Sequence, residues 1–220
     1  MKFAALLSGG KDSCFNIIKC IEFGHELVCL GNLLPAGEVE EINSFMYQSA
    51  AHNAIPYLAE CFGVPLYRKV ISGSAIVKSL DYILTQDDEV EDLFILLRDM
   101  QLKHPDIQAV SCGAIVSTYQ RLRVENVCDR LGLTPLTYLW QKDRRLLLNE
   151  IIESNVEAVL VKVAGAGLDP FKHLGKSLSS IKPTLERLHA SLGLDLCGEG
   201  GGQSILVQHL LSTNSVLTQY

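Results

Sequence analysis

Six residues near the start of the chain, Ser8-Gly9-Gly10-Lys11-Asp12-Ser13, set two adjacent glycines among a lysine, a carboxylate and two hydroxyls. An apolar run, residues 3–7, precedes them and a helical-period segment follows. The stretch therefore reads as a strand, a tight loop from Ser8 to Asp12, and a helix opened by Ser13. Glycines remove Cβ atoms where backbone NH groups must approach an anion closely. The positive end of the helix faces that anion and adds about 0.3 to 2 kcal/mol. In physical terms this is a phosphate cradle. It is not the Walker loop, which needs G-x-x-x-x-G-K-[ST]; here the glycines are adjacent and Lys11 precedes Asp12. A second reading of the same residues is a Gly-Gly turn after which Asp12 or Ser13 merely caps a helix.

Two further clusters could do chemistry. Arg121, Arg123 and Glu125 follow a Ser/Thr/Tyr/Gln stretch that includes Tyr119 and Gln120, just past a strand-like segment at 107–115. Open α/β sheets bind ligands at such strand ends, and arginines there hold a phosphate or carboxylate through two donors. The alternative is a solvated helix start with Arg123 paired to a surface acid. Glu89, Glu91 and Asp92 alternate with apolar positions at the start of another helix, where carboxylates also complement the helix dipole. Tyr138 and Trp140 read as core or rim aromatics, and Cys14 and Cys112 as small buried hydrophobes.

The elements that must position these groups follow an alternating order. Strand-like runs at 3–7, 26–34, 64–71, 107–115, 134–139 and 157–165 are separated by helical patterns at 13–23, 44–63, 89–104, 118–132 and 144–155. Such alternation calls for a parallel sheet with helices on both faces. Pro56 lies inside the second helical pattern and is expected to kink or split it. Beyond about Gly165 the texture becomes Gly-rich, with a last helix at 178–193 and a short strand at 194–197. A boundary near residue 142 separates a nucleotide-binding domain, 1–142, from a small substrate-side region, 143–201, and an atypical tail, 202–220.

With 220 residues, 48% of them hydrophobic, the chain is long enough for one domain with a sizeable core. A net charge of -6 argues against a surface built for nucleic acid. Seven cysteines without a CxxC pair suggest neither a zinc site nor a disulfide framework and fit a reducing cytoplasm. No apolar run reaches membrane-spanning length, so no membrane partner is expected.

The loop "SGGKDS" resembles the pyrophosphate loop of the N-type ATP pyrophosphatases, which attach AMP to an oxygen of their substrate. With "SFMYQSAAHNAI", "DDEVEDLFILL", "GAIVSTYQRLRVENVCDRLGLTPLTYLWQ", "GLDPFKHLGKSL" and "CGEGG", residues 1 to about 201 resemble the diphthine-ammonia ligase family. The resemblance implies an adenine nucleotide alpha hydrolase-like, Rossmann-like fold with a small, incomplete C-terminal α+β region. It implies ATP-dependent amidation of diphthine on translation elongation factor 2, with ammonium as nitrogen donor and AMP and pyrophosphate as products. By the same resemblance Ser8, Gly9, Gly10, Asp12 and Ser13 hold pyrophosphate. Lys11 sits where the motif varies, and Asp12 or a carboxylate nearby meets Mg²⁺. Asp12, Arg121 and Glu199 are then catalytic candidates. Tyr119, Gln120, Arg123, Gly198, Gly200 and Gly201 face the substrate, and Glu89 and Glu91 serve Mg²⁺ or a trimethylammonio group. His52 and His173 also fall at family positions, although a lone histidine is more often structural.

The chain departs from the family after Gly201, where Gly202 and "QSILVQHLLSTNSVLTQY" replace a second glutamate and an alternating strand. The stretch "SILVQHLL" reads as one short strand or a frayed helix. Truncation or alternative splicing is the expectation this raises. A catalytically silent nucleotide-binding form and a tRNA-modifying adenylyltransferase are the competing functional readings.

Overall fold

The structure is a computed structural model that describes residues 1–37, 46, 53–154, 156–165 and 167–198, with residues 52 and 203–210 described as backbone. Five strands, β1 (Lys2–Leu6), β2 (Glu26–Leu34), β3 (Leu66–Val70), β4 (Ala109–Ser111) and β5 (Thr134–Leu136), form one parallel sheet. Their order is β3-β2-β1-β4-β5. The chain begins in the middle, winds outward through β2 to β3, and returns to the other side of β1. A topological switch point therefore lies between β1 and β4.

Successive strand residues point to opposite faces, and both faces are covered, which is why the strands read as unbroken apolar runs. Phe3, Ala5 and Leu7 pack with residues of α1 (Lys11–Glu22), α2 (Ile55–Phe62) and α5 (Arg144–Glu153). Ala4, Cys29 and Val110 pack on the other face with α3 (Glu89–Lys103) and α4 (Thr118–Leu131). Side chains as fully buried as Phe3, Ile17 and Leu97 stabilise such a core by about 1.5 to 3 kcal/mol each. The parallel α/β architecture is as the alternation required for its first five strands, whereas the strand expected at 157–165 lies in a separate two-stranded antiparallel sheet.

Strand β6 (Val156–Val163), helices α6 (Pro170–His173) and α7 (Leu178–Leu192), and strand β7 (Gln203–Leu210) complete the described strands and α-helices. β6 and β7 pair antiparallel, from Val156 opposite Leu210 to Val163 opposite Gln203, so residues 204–210 of the stretch read as strand or frayed helix are strand, and residue 211 lies outside the described residues. Leu160, Ile181, Leu185 and Leu196 join the same apolar cluster as α1 and α5. Among the described residues no helix is long and apolar enough to cross a membrane.

Two local expectations are corrected, and a third falls partly outside the described residues. Pro56 stands in the first turn of α2, directly after a 3-10 turn at His52–Ala54, where a missing N–H costs nothing; residues 44, 45 and 47–51 of the expected helix lie outside the described residues. The 194–197 segment is a turn rather than a strand, organised by Asp195 accepting from the Cys197 N–H at 2.9 Å. Helix α1 opens at Lys11 rather than Ser13, because Gly10 already has the extended conformation of an N-cap.

Candidate functional site

Strand β1 delivers Ser8 to the carboxyl edge of the sheet beside the switch point. Gly9 turns the chain with φ of 83°, a conformation that favours glycine. Gly10 caps α1 with no side chain, and the first helical bond runs from the Cys14 N–H to the Gly10 carbonyl at 3.3 Å. Amides earlier in that turn have no carbonyl four residues behind them, the condition that makes a helix start an anion site. The two serines brace the loop. Ser13 Oγ donates to the Gly10 carbonyl at 2.9 Å, Ser8 Oγ donates to Ser13 Oγ at 3.1 Å, and the Gly10 N–H donates to Ser8 Oγ at 3.3 Å.

Asp12 carries the charge of the loop. Its Oδ2 accepts from Lys11 Nζ at 2.7 Å, while its Oδ1 is buried with no hydrogen-bond partner. Burial pushes the carboxyl above its ordinary range, and the Lys11 ammonium opposes that rise. Lys11 is itself only 2% exposed and also donates to the Cys197 carbonyl. The turn that carries this carbonyl is held in place by an ion pair between Asp195 and Arg144 at 2.6 Å. Gly198 follows with φ of 82°. Glu199, Gly200 and Gly201 lie outside the described residues.

Two residues that motif reading passed over shape the floor of the site. Asn16 is fully buried; its amide donates to Ser111 Oγ at 2.7 Å and to the Leu136 carbonyl at 2.8 Å, and its Oδ1 accepts from the Tyr138 N–H at 2.9 Å. This one side chain ties α1 to β4 and β5. An amide on the apolar stripe of α1 was its signal in the sequence. Gly113, just past β4, lies against the Asp12–Ser13 peptide. A lone glycine after a strand gave little warning of that.

The second candidate cluster forms a separate network. Ser117 caps α4 by accepting from the Gln120 N–H. Arg121 pairs with Glu125 at 2.6 Å and lies over the Trp140 ring at 4.6 Å. Arg123 is fully buried and donates to three carbonyls, those of Tyr119, Val77 and Ser79, at 3.2, 2.6 and 3.0 Å. The Tyr119 hydroxyl donates to the same Val77 carbonyl at 3.2 Å, and the Gln120 amide donates to the Met46 carbonyl at 3.1 Å. Together Tyr119 and Arg123 clamp the irregular segment after β3.

The acidic stretch holds that segment from the other side. Asp88 caps α3 and accepts from the Ile76 and Val77 N–H groups at 3.1 and 2.9 Å. Asp92 accepts from the Ser72 and Gly73 N–H groups, both at 2.8 Å. Glu91 takes two donors from Arg130 at 2.8 and 2.7 Å and the Tyr82 hydroxyl at 2.8 Å. Those bonds hold its carboxyl below the usual range. Glu89 is 2% exposed at the head of α3. His173 accepts from the Asp169 N–H at 2.8 Å and braces the short helix α6. The structure thus gathers Ser8 to Ser13 into one cradle with the Cys197 turn, and sets Arg123, Glu91 and Tyr119 in a clamp around residues 72–82.

Residues 1–135 match the family model of the diphthamide synthase N-terminal domain. The chain is 50% identical over 204 residues to the diphthine–ammonia ligase of Rattus norvegicus, covering 91% of this chain and 76% of that protein. The chain belongs to the diphthine–ammonia ligase family. Its identity to the human diphthine–ammonia ligase is 49% over 204 residues, with the same coverage of 91% and 76%. To the Schizosaccharomyces pombe relative the identity is 53% over 207 residues, which takes in 94% of this chain and 34% of that one. The chain thus spans about a third of the yeast diphthine–ammonia ligase and about three quarters of the mammalian ones. Within this diphthine–ammonia ligase family member, Ser8 to Ser13, Gly113 and the α3/α4 clamp fall inside the matched 1–135 segment, and the Cys197 turn lies beyond it.

Proposed function

We propose that the chain is an ATP-dependent, AMP-forming ligase that converts diphthine to its amide, diphthamide, with ammonium as nitrogen donor. One observation carries the reading: a side-chain-free helix start sits at the switch point of a parallel sheet and presents the unpartnered Oδ1 of Asp12. Membership of the diphthine–ammonia ligase family supplies the substrate class. The protein partner in this reading is translation elongation factor 2 in the cytoplasm, bearing diphthine on a modified histidine.

A carboxylate resists attack because the incoming electron pair must add to an anion. Its oxygen first displaces pyrophosphate from the α phosphorus of ATP, giving an acyl-adenylate. Ammonium first gives up a proton to solvent; the resulting ammonia adds to the acyl carbon, AMP leaves with the oxygen, and a second proton passes to solvent. The chain's part is positioning and charge stabilisation. Backbone amides of residues 9–13 hold the departing pyrophosphate, and Ser8 and Ser13 keep the loop in shape. Arg121 offsets charge at the α phosphorus, and Glu199 serves the substrate side.

Mg²⁺ fits this site. Among the described residues no group of three His, Cys, Asp or Glu side chains could hold a metal ion, and Mg²⁺ commonly needs only one or two carboxylates plus substrate phosphates. Asp12 Oδ1 is such a carboxylate oxygen, buried and without a partner. When bound, the ion neutralises charge on the phosphates. In this reading residues 1–142 bind nucleotide and 143–201 face the protein substrate, with 202–220 as a tail outside both roles.

The test is mass spectrometry of diphthine-bearing elongation factor incubated with the chain, Mg-ATP and ammonium, with AMP followed in the same tube. Amide and AMP in equal amounts are expected. A folded, ATP-binding sample that forms neither would overturn the ligase reading.

A further inference from the structure

We infer that Gly113 is a positioning residue for the nucleotide, its missing side chain setting where the first turn of α1 lies. The chemical identity of the nucleotide rests on the proposed function; the packing does not. Strand β4 lies beside β1, and the chain leaving it crosses the start of α1. A Cβ on Gly113 would stand 2.7 Å from the Asp12 carbonyl carbon, 2.7 Å from the Ser13 nitrogen and 2.8 Å from the Asp12 oxygen. All three are backbone atoms of one peptide, the one whose N–H belongs to the anion-facing turn. None can yield by a side-chain rotation.

Neither wall of this contact is loose. On one side the Cys112 N–H donates to the Leu136 carbonyl at 3.1 Å and the Gln141 N–H donates to the Ile115 carbonyl at 2.8 Å. Ala114 and Ile115 are buried. On the other side Asn16 anchors α1 to β4 and β5. A methyl at position 113 must therefore push the Asp12–Ser13 peptide, and a displacement approaching 1 Å at a positioned group costs about 100-fold in rate. Gly31 supplies the contrast. A Cβ there would come as near, 2.8 Å, but to the Sδ of Met100, the far end of a flexible side chain.

The experiment compares Gly113→Ala with Gly31→Ala in the full chain. Gly113→Ala should raise the ATP Kd and the KM for ATP at least tenfold and leave the KM for ammonium unchanged. It should also speed amide hydrogen exchange in residues 10–15. Gly31→Ala should lower Tm without moving either ATP value. ATP affinity of Gly113→Ala equal to wild type, or an equal loss in both variants, overturns the inference. Should Gly113→Ala not fold, the wild-type chain decides: ATP should slow exchange at 10–15 and at 112–116 together, and protection confined to 10–15 overturns it. If wild type binds no ATP, the proposed function fails by itself. The exchange difference between the two variants at 10–15 then still decides the role of Gly113.

Discussion

Lys11 Nζ and the Cys197 carbonyl meet across 186 residues of sequence, and the same ammonium pairs with Asp12 at 2.7 Å. Lys11 is thus directed toward the turn that follows α7 and leads into the Gly-Glu-Gly-Gly stretch. A buried ammonium needs partners to offset its lost hydration, and the described residues supply Asp12 from the loop and the Cys197 carbonyl from the C-terminal turn. The first helix start and the last described turn are in this way held as one unit.

Replacing Lys11 with Met keeps most of the volume and removes the charge. Breaking a buried pair by deleting one partner costs about 3 to 5 kcal/mol, because the other charge is left behind. Urea unfolding of Lys11→Met should show that loss, together with a fall in AMP formation. An unchanged midpoint would mean that the Cys197 turn is held without this contact.

Asp12→Asn is nearly isosteric and removes the anionic oxygen that Oδ1 presents. Losing one charge-stabilising group at a reacting centre costs about 10² to 10³ in kcat. AMP release by Asp12→Asn should drop by that factor while its thermal unfolding stays cooperative. AMP release at the wild-type rate would remove Asp12 from the mechanism.

The parallel sheet was legible in the sequence because both faces are covered: Phe3, Ala5 and Leu7 face one side and Ala4 the other, so β1 reads as an unbroken apolar run. The strand–loop–helix turn at Ser8–Ser13 is legible because two adjacent glycines follow a first apolar strand and precede a helical pattern. What escaped depends on contacts distant in sequence. The effect of Pro56 depends on its position relative to the helix start, which its presence alone does not give. Arg123 and Glu91 looked like ligand-facing charges, and nothing local shows that the Val77 and Ser79 carbonyls and Arg130 would claim them. The absent Cβ of Gly113 matters only because α1 lies against it.

Arg123 holds the 77–79 segment through a planar fork that a lysine cannot reproduce. Arg123→Lys brings a single ammonium to three carbonyls and gives up the guanidinium stacked on the Tyr119 ring. A loss of about 1 to 3 kcal/mol follows from buried carbonyls left without donors. Denaturation should report that loss, with proteolysis between residues 76 and 84 becoming faster. Equal stability and equal cleavage would show that Asp88 and Tyr119 suffice.

Glu91 gives a pH signature of the same clamp. Its folded carboxyl is held low, first by the Arg130 hydrogen bonds and then, against the opposing effect of burial, by Tyr82. A depressed folded value means that the charged pair contributes fully above the ordinary carboxylate range. The contribution is lost as pH falls through the lowered folded value. Glu91→Gln should therefore be less stable than wild type at pH 7 by about 1.5 to 3 kcal/mol, the scale of hydrogen bonds to a charged group. The gap should close in the acid limb, below the ordinary value of 4.5. Arg130 keeps its place over the Phe94 ring, 4.1 Å away, so the difference measures the carboxylate rather than a collapsed pocket. Stability curves for the two proteins that stay parallel from pH 7 into the acid limb would assign the effect of Glu91 to its packing instead of its charge.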